Sequence, residues 1–172
     1  GLSSAYFPIA AVLVSNDVAE EVEKQAVKLG QFGHGYTYSG HPVAAAVALK
    51  TIQIMEERRI LDHVKEMAKL FFERVSDLRQ YSCVGDIRAI GLIGAAEFIK
   101  PGTEREKLDP SFKFATTVVK AVQENGVILR ALPIDGIAFC PPLVITEPEI
   151  NEMFDRIQAV LLKMDKIAKT LN

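Results

Sequence analysis

Residues 33–49 read GHGYTYSGHPVAAAVAL, a run in which glycine, aromatic and hydroxyl side chains give way at Pro42 to an unbroken apolar stretch. Between Leu29 and Pro42 there is neither a strand nor a helix period, which marks a long loop, and long loops in compact domains tend to carry function. From Val43 to Leu78 the chain contains no Gly or Pro and sets Leu61, Val64, Met67, Phe71, Val75 and Leu78 at helical spacing. This predicts one or two consecutive helices, with Glu56-Glu57-Arg58-Arg59 as a solvated break. The loop holds the parts of an anion site. Its glycines let backbone approach a ligand, Thr37 and Ser39 supply hydroxyls, and a helix N-terminus follows at once. The same residues also read as a Gly-rich turn in which Ser39 caps the helix. No Walker pattern and no Gly-x-Gly-x-x-Gly is present, so a nucleotide is not indicated.

Upstream, the apolar run Ala10–Val14 has strand character, and Ser15-Asn16-Asp17 offers caps for a helix from about Val18. Downstream, IRAIGLIGAAEFI (87–99) reads as a strand. A helix follows near Ser111–Glu124, stopped by Asn125-Gly126, and then strand VILRAL (127–132), a turn at Pro133–Gly136 and strand IAFC (137–140). Thr146-Glu147-Pro148-Glu149 is a capping-box pattern with Pro in the first turn, opening a final amphipathic helix with Ile150, Phe154, Ile157, Leu161, Met164 and Leu171 on one face. Strand, helix, two strands and helix make a small α+β domain.

Composition bounds the function. The chain has 172 residues, 49% of them hydrophobic, and 20 basic against 22 acidic side chains leave a net charge of −2. No global field favours nucleic acid or an anionic membrane, so small-molecule and protein contacts are the expected partners. The two cysteines, Cys83 and Cys140, have no zinc or disulfide-scaffold spacing, which points to a reducing, cytoplasmic setting and to no metal. No apolar stretch reaches the length of a membrane span.

GHGYTYSGHPVAAAVAL strongly resembles a segment of the class III (omega) aminotransferases, pyridoxal-phosphate enzymes of fold type I. The resemblance implies that this loop ends a large cofactor domain. Thr37, with the backbone of Tyr36, would reach across a dimer interface to the cofactor phosphate in the neighbouring subunit. In the same family, GLSSAYFPIAAVLVS looks like the sequence just after the Schiff-base lysine. That lysine is expected immediately before Gly1, so this chain itself holds no catalytic residue, reads as the carboxyl-terminal part of a longer enzyme, and is expected to be inactive alone. VILRALPIDGIAFCPP resembles a small-domain hairpin whose Arg pairs with the substrate carboxylate, a role that falls to Arg130. A guanidinium fork suits a carboxylate, although an Arg near a strand end is also commonly a surface ion pair.

The resemblance implies the following architecture: the end of a large domain, mainly parallel sheet with helices, over residues 1–58 with the start of an inter-domain helix, then a small α+β domain over 59–172. It implies a dimer or dimer of dimers with the active site at the subunit interface, and a ping-pong transfer of an amino group from an amine or omega-amino acid to a keto acid such as pyruvate. Decarboxylases and aminomutases of the same superfamily share these loops, and a non-catalytic dimerisation module is the alternative from another class. Among the remaining residues, His34 and His41 read as structural and His63 as solvated. Cys83 and Cys140 read as small packing residues, the runs EEVEK and EERR as solvated helix faces, and Tyr6 as either a packing aromatic or a near neighbour of the cofactor.

Overall fold

The computed structural model describes residues 1–133 and 135–171. It divides into two compact units, Gly1–Arg59 and Ile60–Asn172.

The first unit begins with a tight loop over residues 1–8. Helix α1 (Asn16–Leu29) starts where the Ser15 side chain accepts the N–H of Val18 at 3.4 Å, and it stops at Gly30. The strand expected over Ala10–Val14 is not formed; these residues are irregular, with Val12 89% and Leu13 93% exposed. A strand exists only as part of a hydrogen-bonded ladder, and the described residues of this unit contain no second strand to pair with it. Helix α2 (Pro42–Glu57) follows the Gly-rich loop. Its end is sharp, because Arg58 closes the last turn and Arg59 takes a left-handed φ of 48°. Residues 56–59 are all exposed, as a solvated break requires.

In the second unit, α3 (Ile60–Ser76) leads through a short 3-10 turn at Asp77–Gln80 into an antiparallel hairpin of β1 (Val84–Ile90) and β2 (Ile93–Phe98). Residues 87–99, expected as one strand, contribute to two. The chain reverses at Gly91-Leu92, where Gly91 has φ 56°, and Ile90 faces Ile93 across the turn. A 3-10 turn at Pro110–Phe112 and a left-handed Lys113 precede α4 (Phe114–Glu124), three residues later than expected. The second hairpin joins β3 (Arg130–Leu132) and β4 (Gly136–Phe139), so only the last three residues of VILRAL are paired. The turn expected over Pro133–Gly136 includes Ile134, which lies outside the described residues. The four strands form one antiparallel sheet in the order β1-β2-β4-β3.

Alternation decides which face is buried. Ile87, Ala96, Ile137 and Phe139 point into the core, under α3, α4 and α5 (Glu147–Ala168). Phe154 of α5 packs against Phe71 of α3 and Phe139 of β4, with ring centroids 5.7 and 5.5 Å apart, and Phe98 meets Phe114 edge-on at 5.1 Å. The capping box opens α5 as expected, the Thr146 N–H and hydroxyl reaching Glu149 Oε2 at 2.8 and 2.7 Å. Ile150, Phe154, Ile157, Leu161 and Met164 are buried along one face.

Two carboxylates brace this unit. Asp165, buried on α5, accepts the Ser82 hydroxyl and the Cys83 N–H, both at 2.8 Å, and the Lys169 ammonium at 2.7 Å. Asp135, left-handed at φ 55° in the second hairpin, accepts the Ala115 N–H at 2.8 Å through its side chain and the Phe98 N–H at 2.9 Å through its carbonyl. His63 is not solvated as expected. Its Nε2 lies 2.8 Å from the Ile145 carbonyl, tying α3 to the segment before α5.

Candidate functional site

In the first unit the Gly-rich loop folds back on itself at residues 36–39. The Tyr36 N–H donates to Ser39 Oγ and the Ser39 N–H to the Tyr36 carbonyl, both at 2.9 Å. Ser39 therefore closes this turn and does not cap α2. The cap is His41, whose Nδ1 accepts the Ala44 N–H at 3.4 Å, with Pro42 in the first turn. A His directly before a Pro at a helix start was the available signal for this. The arrangement leaves Thr37 at the exposed apex of the turn, on the approach to the N-terminus of a 16-residue helix. Its hydroxyl has no hydrogen-bond partner among the described residues.

These features fit a phosphate. A free hydroxyl donor beside the N-terminus of a long helix complements an anion, with Val43 supplying the first-turn N–H that is left without a partner among the described residues, since Pro42 has none and His41 takes that of Ala44. One donor is already engaged, since the Tyr36 N–H belongs to Ser39. Any contribution of the Tyr36 backbone to a ligand would be made after Ser39 released it. The aromatic rings of Tyr36 and Tyr38 are about four-fifths exposed, and Tyr6 is exposed as well.

Arg130 lies in the second unit, on the uncovered face of the sheet. Register places it opposite Ala138, Ala138 opposite Ala95, and Ala95 opposite Arg88, so two guanidinium groups flank two methyl groups in one row. The two arginines differ in their partners. Arg88 is held by Asp86 and Glu97, and Glu97 is further bound by Lys107 at 2.8 Å. The Lys107 ammonium, then the Arg88 guanidinium, keep the Glu97 carboxyl below the usual range. Arg130 is exposed and has no carboxylate in salt-bridge range among the described residues. Cys140, at the end of β4, is exposed and so does not pack as the sequence reading expected. Cys83 is buried, and burial first, then the neighbouring Asp165 charge, pushes its thiol up to about 12. It is an inert thiol.

The profile of the class-III aminotransferases matches residues 1–161. The chain belongs to this family. It is 37% identical over 172 residues to the uncharacterized aminotransferase y4uB of Sinorhizobium fredii (strain NBRC 101917 / NGR234), covering 98% of this chain and 37% of that protein. It is 38% identical over 170 residues to gamma aminobutyrate transaminase 1, mitochondrial, of Solanum lycopersicum, covering 99% and 33%. A crystal structure of a PLP-bound aminotransferase mutant from Vibrio fluvialis superposes with a TM-score of 0.91 at 28% identity, over 97% of this chain and 37% of that one. This class-III aminotransferase chain thus spans between a third and two-fifths of the length of these relatives. Tyr36 and Thr37 belong to its first unit and Arg130 to its second. No helix among the described residues is long and apolar enough to cross a membrane.

Proposed function

We propose that this chain is part of a pyridoxal-phosphate-dependent transaminase that moves an amino group from an amine or omega-amino acid to a keto acid such as pyruvate in two half-reactions. The observation that carries the reading is the free Thr37 hydroxyl at the apex of a turn leading into α2, within a family match that runs through both units. Residues 1–58 act as the end of the cofactor domain and 59–172 as the small domain, in a dimer whose active sites lie at the subunit interface.

Each residue's part follows from its chemistry. Thr37 donates its hydroxyl to the phosphate of the cofactor held by the neighbouring subunit, and the α2 N-terminus supplies favourable dipole. Tyr36 contributes backbone. Arg130 receives the substrate carboxylate, for which its fork geometry and lack of a competing carboxylate suit it. The cofactor, when bound, supplies the electron sink for carbon–nitrogen chemistry, and the protein supplies position and charge. The gamma-aminobutyrate transaminase name of the tomato relative favours omega-amino acid donors.

The test is spectroscopic. With the intact enzyme, an amine donor should bleach the visible absorbance of the bound cofactor and pyruvate should restore it, with no carbon dioxide released. Carbon dioxide without amino transfer would replace this reading with a decarboxylase. A protein that takes up no pyridoxal phosphate would leave the dimerisation-module reading.

A further inference from the structure

The loop over residues 1–8 is held in a costly conformation. Ser4 and Ala5 are consecutive non-glycine residues in the left-handed region, at φ 50° and 64°. Residues with a Cβ are disfavoured in this region and persist there only where their surroundings fix them. What fixes it is Ser3, 3% exposed, whose hydroxyl donates to the Phe7 carbonyl and accepts the Phe7 N–H. The clasp presents the Phe7 ring to His41, with centroids 5.1 Å apart and planes tilted by 37°. His41 in turn starts α2 through Nδ1 and lies 6.4 Å from the Tyr38 ring, beside Thr37 in the turn. A continuous path within the first unit thus runs from Ser3 through Phe7 and His41 to the Thr37 turn.

We infer that Phe7 and His41 are a positioning pair whose ring contact fixes the Thr37 turn against the loop over residues 1–8. The inference rests on the cofactor reading above. It adds that one chain couples the loop serving its own cofactor to the hydroxyl serving its neighbour's, so that the two cofactor sites of a dimer share a mechanical link. His41 has a second duty as cap, and the two can be separated. Asn is among the best N-cap residues, so His41→Asn keeps the helix start and removes only the ring.

The experiment measures the pyridoxal-phosphate dissociation constant of the intact enzyme, with the melting midpoint of the cofactor-free form as a control for folding. His41→Asn and Phe7→Leu should each weaken cofactor binding by about three- to tenfold, and the double variant should be no weaker than either single one, because both remove the same contact. Phe7→Tyr, which retains the ring, should restore the parent value. Thr37→Ala is the reference for the cofactor reading. If Thr37→Ala weakens binding while both ring variants stay within twofold of the parent, or if their effects add, the pair is overturned and the cofactor reading stands. If Thr37→Ala also changes nothing, the phosphate role falls, and the pair with it. Equal losses of melting midpoint and affinity in Phe7→Leu, not rescued by Phe7→Tyr, would make the contact merely structural and overturn the inference.

Discussion

The carboxylate of Asp165 accepts the backbone N–H of Cys83 at 2.8 Å, across 82 residues of sequence. With the Ser82 hydroxyl and the Lys169 ammonium on the same carboxylate, the end of α5 is fastened to the entry of β1. Burial pushes this carboxyl up, but Lys169, Ser82 and Cys83 together outweigh it and hold it below its ordinary value. A group depressed in the folded state stabilises above its unfolded pKa, about 4, and loses that contribution as pH falls through the lower native value. Asp165→Asn should therefore lower stability by about 1–3 kcal/mol at pH 7, with the gap to the parent closing below pH 4. Urea midpoints at pH 7 and pH 3 check this; an equal gap at both would refute the ionic contribution.

Cys83 should stay silent toward thiol reagents. A buried thiol pushed up to about 12 is protonated at pH 8 and reacts only when the fold opens. Titration of the native protein with a disulfide reagent should leave Cys83 unmodified, and labelling should appear in step with urea unfolding. Native-state labelling at Cys83, mapped by peptide mass, would contradict the buried placement.

Arg130 faces outward without a carboxylate partner among the described residues, whereas Arg88 in the same row is held by two. Loss of a charge-assisted pair to a substrate is worth about 1.5–3 kcal/mol. Arg130→Ala should then lower kcat/KM for keto acids by about ten- to a hundredfold, leaving turnover of simple amines within a few-fold of the parent. Arg88→Ala serves as the contrast and should leave the ratio between the two substrate types unchanged.

Gly136 sits where β4 presses on β2. A Cβ built there would lie 2.7 Å from the Ala96 carbonyl oxygen and 3.3 Å from the Glu97 Cα, both backbone atoms of a paired strand that cannot step aside. Gly136→Ala should cost about 1–3 kcal/mol through overpacking. It should also disturb the hairpin that carries Arg130, so thermal midpoint and keto-acid kcat/KM should fall together. A midpoint unchanged from the parent would show that the ladder can part at this place.

What was legible in the sequence was what local chemistry decides. The α5 capping box, its apolar face and the break at Arg58-Arg59 are each written in a few neighbouring residues. The hairpin of β1 and β2 was missed because its two-residue turn hides in a continuous apolar run. The clue was the alternation of Asp86 and Arg88 with Ile87, which repeats at Glu97 on the returning strand. The strand over Ala10–Val14 failed for the opposite reason: its local character is right, but pairing is a property of a partner. His63 with Ile145 and Asp165 with Cys83 join residues some 82 apart in sequence, and nothing in the composition around them signals it. Tyr36, Thr37 and Arg130 stood out through family resemblance, since a Gly-rich turn and an exposed Arg are ordinary features by themselves.

Asp135 ties the second hairpin to its surroundings twice, to the first turn of α4 and to the end of β2. With Asp135 braced in this way and β3 paired to β4 from Arg130 to Leu132, the backbone beneath Arg130 should trace the same course whether or not a substrate is present. If Arg130 receives the substrate carboxylate as proposed, accommodation of donors with and without one would fall to rotation about its side-chain bonds, a motion of picoseconds to nanoseconds at an exposed residue. Turnover would not have to wait for any rearrangement of the sheet.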